Sequence, residues 1–183
     1  MIKYIVGKIV EVIHNTIVLE TSAGIAFEIN ILNKEKFHKN EITKVYSFLY
    51  TFEEKMSLFG FIEKTECEIF SLLNSVNGIG PKTAMQILKN VDINLLISYV
   101  LNNRIDDLSK ISGIGNKADK ICIELKNKVK KYQVSKVRYE DVYQILIGLS
   151  YKSTSIFEVL KKLPDGLDNE EALKLAIREL ANG

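Results

Sequence analysis

The stretch Leu73-Asn74-Ser75-Val76-Asn77-Gly78-Ile79-Gly80-Pro81-Lys82-Thr83-Ala84-Met85-Gln86-Ile87-Leu88 returns 35 positions later in shorter form, as Leu108-Ser109-Lys110-Ile111-Ser112-Gly113-Ile114-Gly115-Asn116-Lys117-Ala118. Both copies fit apolar–x–x–apolar–x–Gly–apolar–Gly, at the end of one helix and the start of the next. The paired glycines allow a tight turn and leave no side chain between the backbone and a ligand. The helix that follows offers unpaired N–H groups and the positive end of its dipole, which suits a phosphate. Lys82 or Lys117, on the first turn, adds a counter-charge. A blander reading makes Gly-Ile-Gly a mere link between packed helices, with Ile79 and Ile114 as core plugs; the repetition of the whole pattern favours the phosphate. No GxxxxGK[ST] is present and no strand feeds either turn, which excludes a Walker A or Rossmann site. Nothing in the motifs reaches base edges, so the expected grip on nucleic acid is largely independent of base sequence.

Charge follows the same map. Residues 1–62 hold seven Lys/Arg against seven Asp/Glu, residues 63–132 eleven against eight, and residues 133–183 seven against eight. The net +2 of the 183-residue chain is too small to argue for a polyanion by itself, but the excess sits where the repeat lies.

Upstream of residue 63 the hydrophobic pattern has period two. Ile2 to Ile13, Thr16 to Glu20, Ala26 to Ile31, Lys44 to Thr51 and Met56 to Ile62 read as strands, with His14-Asn15 and Ser22-Ala23-Gly24 as turns. Five short strands in about 62 residues imply a closed barrel, since an open sheet of that size buries little core and leaves edges. An OB-type barrel is the reading adopted; an SH3-like barrel fits the pattern nearly as well.

Downstream the period becomes helical. Thr65 to Glu68 forms a capping box ahead of Ile69, Leu72, Leu73 and Val76. Asp92 caps a helix with Leu95, Leu96, Tyr99 and Val100, Asp106 caps a short helical turn, and a longer helix runs from about Asn116 to Tyr132. Three short helices end the chain. Tyr139–Leu149 places Val142, Ile145, Leu146 and Leu149 on its core face, and Ser153–Leu163 places Ile156, Phe157, Leu160 and Leu163. The last is capped by Asp168 with Glu171, ahead of Ala172, Leu175, Ala176 and Leu180.

No catalytic or metal-binding constellation emerges. His14 and His38 are isolated, Cys67 and Cys122 have no CxxC partner and read as buried reduced thiols of a cytosolic protein, and the carboxylates fall on caps and helix faces. Glu53-Glu54, taken alone, is a solvated hairpin tip and a poor Mg²⁺ site. No apolar run approaches a membrane span, and the N-terminal stretch alternates like a strand with no leader-type apolar core. Three classes stay open on the residues: a DNA-binding subunit, a glycosylase or nuclease that uses the hairpins as its grip, and a protein adaptor.

A barrel of about 62 residues, then Asn77-Gly-Ile-Gly-Pro-Lys82, then Gly113-Ile-Gly115, then a small helical module resembles the RuvA family, the Holliday-junction-recognition subunit of the bacterial branch-migration complex. The resemblance runs over essentially the whole chain. It implies an α+β multidomain protein: an OB-fold barrel (1–62) for tetramerisation and the junction centre, a tandem helix-hairpin-helix domain (63–132), a linker (133–137) and a three-helix, UBA-like module (138–183). It implies phosphate contacts from Asn77, Gly78, Gly80 and Lys82 in one hairpin and from Gly113, Gly115, Asn116, Lys117 and Lys120 in the other. It makes Glu53 and Glu54 an acidic pin facing the crossover. The implied partners are a four-way DNA junction, three further copies of the chain and the hexameric ATPase RuvB, contacted within Tyr139 to Leu180; a double tetramer and the RuvC resolvase stay open. ATP and Mg²⁺ would be used by the ATPase, the chain itself having no catalytic residues, cofactor or metal, in the cytoplasm. Two features depart from the family pattern. The second hairpin is one residue shorter, so either its helix starts differently or Asp119 takes the packing place that Ala84 fills. The linker is short and not Pro/Gly-rich, so the last module should move less freely.

Overall fold

In the computed structural model, which describes residues 2–132, 139–151, 153–164 and 166–181, the period-two runs become five strands. They are β1 (Tyr4–Ile13), β2 (Thr16–Glu20), β3 (Ala26–Ile31), β4 (Ile42–Phe52) and β5 (Lys55–Phe61). They close into a barrel in the order β1-β2-β3-β5-β4. All pairings are antiparallel except β3 with β5. That crossing, with β3 beside β5 rather than β4, is the OB-type order and sets aside the SH3-like alternative.

Alternation explains the interior: Ile5, Ile9, Ile17, Leu19, Ile29, Ile31, Val45 and Leu58 form one buried cluster, while the intervening Lys3, Lys8, Glu20, Glu28 and Lys44 stay exposed. The barrel is tight enough to need glycine. A Cβ on Gly60 would lie 2.4 Å from Ile29 Cγ2 and 2.6 Å from Val45 Cγ1.

Helix α1 (Lys64–Asn74) lies on the barrel through Phe70, whose ring stands 5.3 Å from Phe48 and 5.1 Å from both Phe59 and Phe61. Its cap differs from the expected Thr65–Glu68 box. The chain leaves β5 extended at Glu63, which is already the N-cap, and Glu66 Oε2 accepts from the Glu63 N–H at 3.4 Å. Glu68 pairs instead with Lys64 at 3.5 Å.

The chain divides into two compact units, 1–88 and 89–183, with the boundary inside α2 (Pro81–Asn90). In the second unit, α3 (Ile93–Leu101) starts as expected, with Asp92 Oδ1 accepting from the Asn94 and Leu95 amides at 2.8 and 3.1 Å. Helix α4 (Ile105–Lys110) begins earlier than its expected Asp106 cap: Arg104 is the N-cap, and Asp106 and Asp107 sit in the first turn, where the dipole favours them. Helix α5 (Ala118–Val129) is shorter at both ends than the periodicity suggested.

Helices α6 (Glu140–Gly148), α7 (Ser153–Lys162) and α8 (Asn169–Ala181) pack on one another. Ile156, Leu160, Leu163, Ala172 and Ala176 take the expected core places, and Asp168 Oδ1 caps α8 by accepting from the Glu171 amide at 2.8 Å. The α6 face is corrected. Val142 and Leu146 are buried with Tyr143, while Ile145 and Leu149, and Leu175 on α8, are exposed. The expected linker 133–137 and the Phe157 side chain lie outside the described residues.

Candidate nucleic-acid interface

The two glycine turns are built by the same backbone bonds. After α1, the Val76 amide donates to Leu73 O and the Ile79 amide to Val76 O, both at 3.0 Å. After α4, the Ile111 amide donates to Leu108 O at 3.1 Å and the Ile114 amide to Ile111 O at 3.0 Å. Each ladder plugs its isoleucine inward, Ile79 and Ile114 both being buried, so the bland reading of these two residues is correct as far as it goes. It leaves the flanking positions unexplained. Gly78 and Gly113 hold left-handed backbone at φ 89° and 97°, a conformation that penalises a Cβ. Asn77, Gly78, Gly80 and Lys82 are all exposed. Above Gly80 a Cβ would meet no described atom within 4 Å.

Helix α2 begins with the Ala84 amide donating to the Gly80 carbonyl at 2.9 Å. Pro81 has no N–H, and the amides of Lys82 and Thr83 belong to the first turn, which has no carbonyl of its own to offer them. Donors, an open space above glycine and an exposed lysine thus fall within four consecutive residues, Gly80 to Thr83.

The second turn resolves the question of the missing residue: the helix starts differently. Gly115–Lys117 forms a 3₁₀ turn, tighter than an α-turn, and this brings Ala118 into the buried place that Ala84 fills in the first copy. Asp119 stays exposed, as do Gly115, Asn116 and Lys120. The tightening consumes donors. The Lys117 amide is bonded to Ile114 O at 3.1 Å and the Ala118 amide to Gly115 O. The Lys117 side chain is half-buried, where Lys82 is exposed. Gly115 itself is left-handed at φ 50°. The two copies are therefore alike in their turns and unequal in the groups they present.

Glu53 and Glu54 form the exposed turn between β4 and β5, closed by the pair Phe52↔Lys55. Glu53 is left-handed at φ 52°, a costly conformation for a residue with a Cβ. His14 and His38 are exposed. Burial pushes the Cys67 thiol up to about 11, with Glu68 adding to the rise, and burial raises Cys122 as well, so both are poor nucleophiles. Among the described residues no group of three or more His, Cys, Asp and Glu could hold a metal ion. No described helix is long and apolar enough to cross a membrane.

An OB-type barrel followed by two glycine turns of one design defines a barrel-and-tandem-hairpin protein. Comparison with known proteins narrows this. Residues 1–60 match the family model described as RuvA N terminal domain, and residues 70–127 match the SAM-like helix-hairpin-helix tandem. A protein of Caldanaerobacter subterraneus is 36% identical over 99% of this chain and 100% of its own length. One of Thermodesulfovibrio yellowstonii is 34% identical over 98% and 94%. One of Thermotoga maritima is 28% identical over the full length of both. All three are named Holliday junction branch migration complex subunit RuvA. The chain belongs to the RuvA family.

Proposed function

We propose that this chain is the non-catalytic subunit that binds four-way DNA junctions, independently of base sequence, for a branch-migration complex in recombination and repair. The observation that carries the reading is the duplicated turn: the same two backbone bonds, left-handed or open glycines, and a lysine where the next helix starts, in a member of the RuvA family. Each turn takes a backbone phosphate. Asn77, Gly78, Gly80 and Lys82 serve in the first; Gly113, Gly115, Asn116, Lys117 and Lys120 serve in the second.

The finer assignments follow the family. Four copies surround one junction through their barrels, 1–62, and Glu53 and Glu54 of each keep phosphates off the crossover. The hairpin domain is 63–132, and the module 138–183 contacts the hexameric ATPase RuvB in the cytoplasm, where ATP and Mg²⁺ are that partner's. The double tetramer and RuvC extend the same scheme. A mobility shift with Mg²⁺ and no ATP tests the central claim, comparing a four-way junction with linear duplex of equal length. The expected result is a marked preference for the junction with no cleavage. Equal affinity for both, cleavage, or no shift would each overturn the reading.

A further inference from the structure

Helix α6 has a face that its own three-helix core does not use. While Val142 and Leu146 point into that core and Ile145 and Leu149 stand in the open, Glu140 and Gln144 meet the hairpin half of the same compact unit. Arg104 Nη1 donates to Glu140 Oε1, and Gln144 Nε2 donates to the Tyr99 hydroxyl. Arg104 is held in place for this. Its Nε donates to Asp107 Oδ2 at 2.8 Å, and its guanidinium lies 4.9 Å from the centroid of the Tyr99 ring. Lys110 is drawn to the other Asp107 oxygen at 3.4 Å. Beside these contacts runs a groove of about 200 Å³, lined by Tyr99, Asp107 and Lys110 on one side and Tyr143, Gln144 and Ile147 on the other. Tyr99 is buried where Gln144 reaches its hydroxyl, and that burial pushes its phenol well above the ordinary range.

We propose that this seam is a reversible latch that docks the three-helix module on the hairpin half and fixes the direction in which the module's exposed apolar edge, Ile145 and Leu149, points. Its chemistry suits opening and closing. The Arg104 and Glu140 side chains keep 34% and 37% of their exposure, so water and salt can compete for the pair. The groove is open, so separating its walls forfeits less contact than parting a packed core would. Docking leaves Ile145 and Leu149 accessible; what it controls is their orientation. Sequence reading missed the seam because its members, Tyr99, Arg104, Glu140 and Gln144, share no local pattern.

The latch is a property of the chain without DNA, so it is tested without DNA and fails independently of junction binding. Spin labels on Asn127→Cys and Glu179→Cys, both exposed positions, report the distance from α5 to α8 by double electron–electron resonance. The full-length labelled chain is diluted into unlabelled chain, and the sheltered native thiols take label slowly. At low ionic strength the wild type gives one narrow distance. Glu140→Gln with Tyr99→Phe broadens it, and so does about 1 M salt, which cuts the Debye length to about 3 Å. Circular dichroism checks that the variant is folded, and the salt series needs no variant. A distribution already broad in the wild type at low salt, or one left narrow by both the variant and salt, would overturn the latch.

Discussion

Gly80→Ala separates folding from phosphate binding. Gly80 is the one motif glycine whose backbone is outside the left-handed region, and a Cβ there meets no described atom within 4 Å. The fold should therefore tolerate alanine, and the stiffer unfolded chain should add about 0.4–1 kcal/mol of stability. If the space above Gly80 is where a phosphate rests against the turn, the new methyl occupies it. Loss of one hydrogen bond to a charged group costs about 1.5–3 kcal/mol, which at about 1.4 kcal/mol per decade is roughly tenfold to a hundredfold in affinity for each engaged subunit. Gly115→Ala is a poorer probe: its φ of 50° makes alanine cost about 1–2 kcal/mol in folding, which would confuse the two effects. Thermal melts and fluorescence anisotropy on a labelled four-way junction read both quantities for Gly80→Ala. Affinity within twofold of wild type, with an unchanged melt, refutes the assignment of the turn. A lowered melting temperature would show that the glycine is required by the fold.

Three further outcomes are expected. Lys82→Ala should lower the salt slope of junction binding by about 0.9 per lost contact. Lys117→Ala should lower it less, because the 3₁₀ start spends that residue's amide on Ile114 O and half-buries its side chain; equal slopes for the two variants would contradict the inequality of the turns. Changing Glu53 and Glu54 to Gln should raise duplex affinity relative to junction affinity, each carboxylate–phosphate encounter at 4 Å costing about 1 kcal/mol even in water; an unmoved ratio rules out the pin. Gly60→Ala should destabilise the barrel by about 1–3 kcal/mol through its collisions with Ile29 and Val45; an unchanged denaturant midpoint would show that the barrel wall yields.

How much of this was legible beforehand depends on how local the cause is. Strand alternation is local, and the barrel's five strands fall within two residues of the runs read from hydrophobicity. The glycine turns are local too, since Gly-x-Gly lets the chain turn tightly in both copies and Pro81 suits the first position of α2. Of the four expected caps, Asp92 and Asp168 were legible and two were not. The α1 cap moved to Glu63 because the strand before it determines where extended chain ends, and the α4 cap moved to Arg104, whose side chain is engaged elsewhere. Phe70 went unremarked because its partners Phe48, Phe59 and Phe61 are far away in sequence. For the shortened hairpin the sequence left two alternatives, and only backbone geometry could choose the one that buries Ala118. On α6, periodicity assumes one buried stripe, but this helix has partners on two sides, so Tyr143 goes inward and Ile145 and Leu149 do not.

The parallel pairing of β3 with β5 rests on Asn30↔Phe59 and Ile31↔Gly60, where β4 and β5 run paired from Tyr46↔Phe61 to Phe52↔Lys55. A ring with one short joint has a preferred place to open. Parting there would unroll the barrel into a sheet whose two raw edges offer unpaired N–H and C=O groups to any other strand. Asn30 guards the joint, its side-chain amide donating to Leu58 O at 3.0 Å. Strand exchange between copies should therefore begin more readily at that joint than at the longer pairings around the ring.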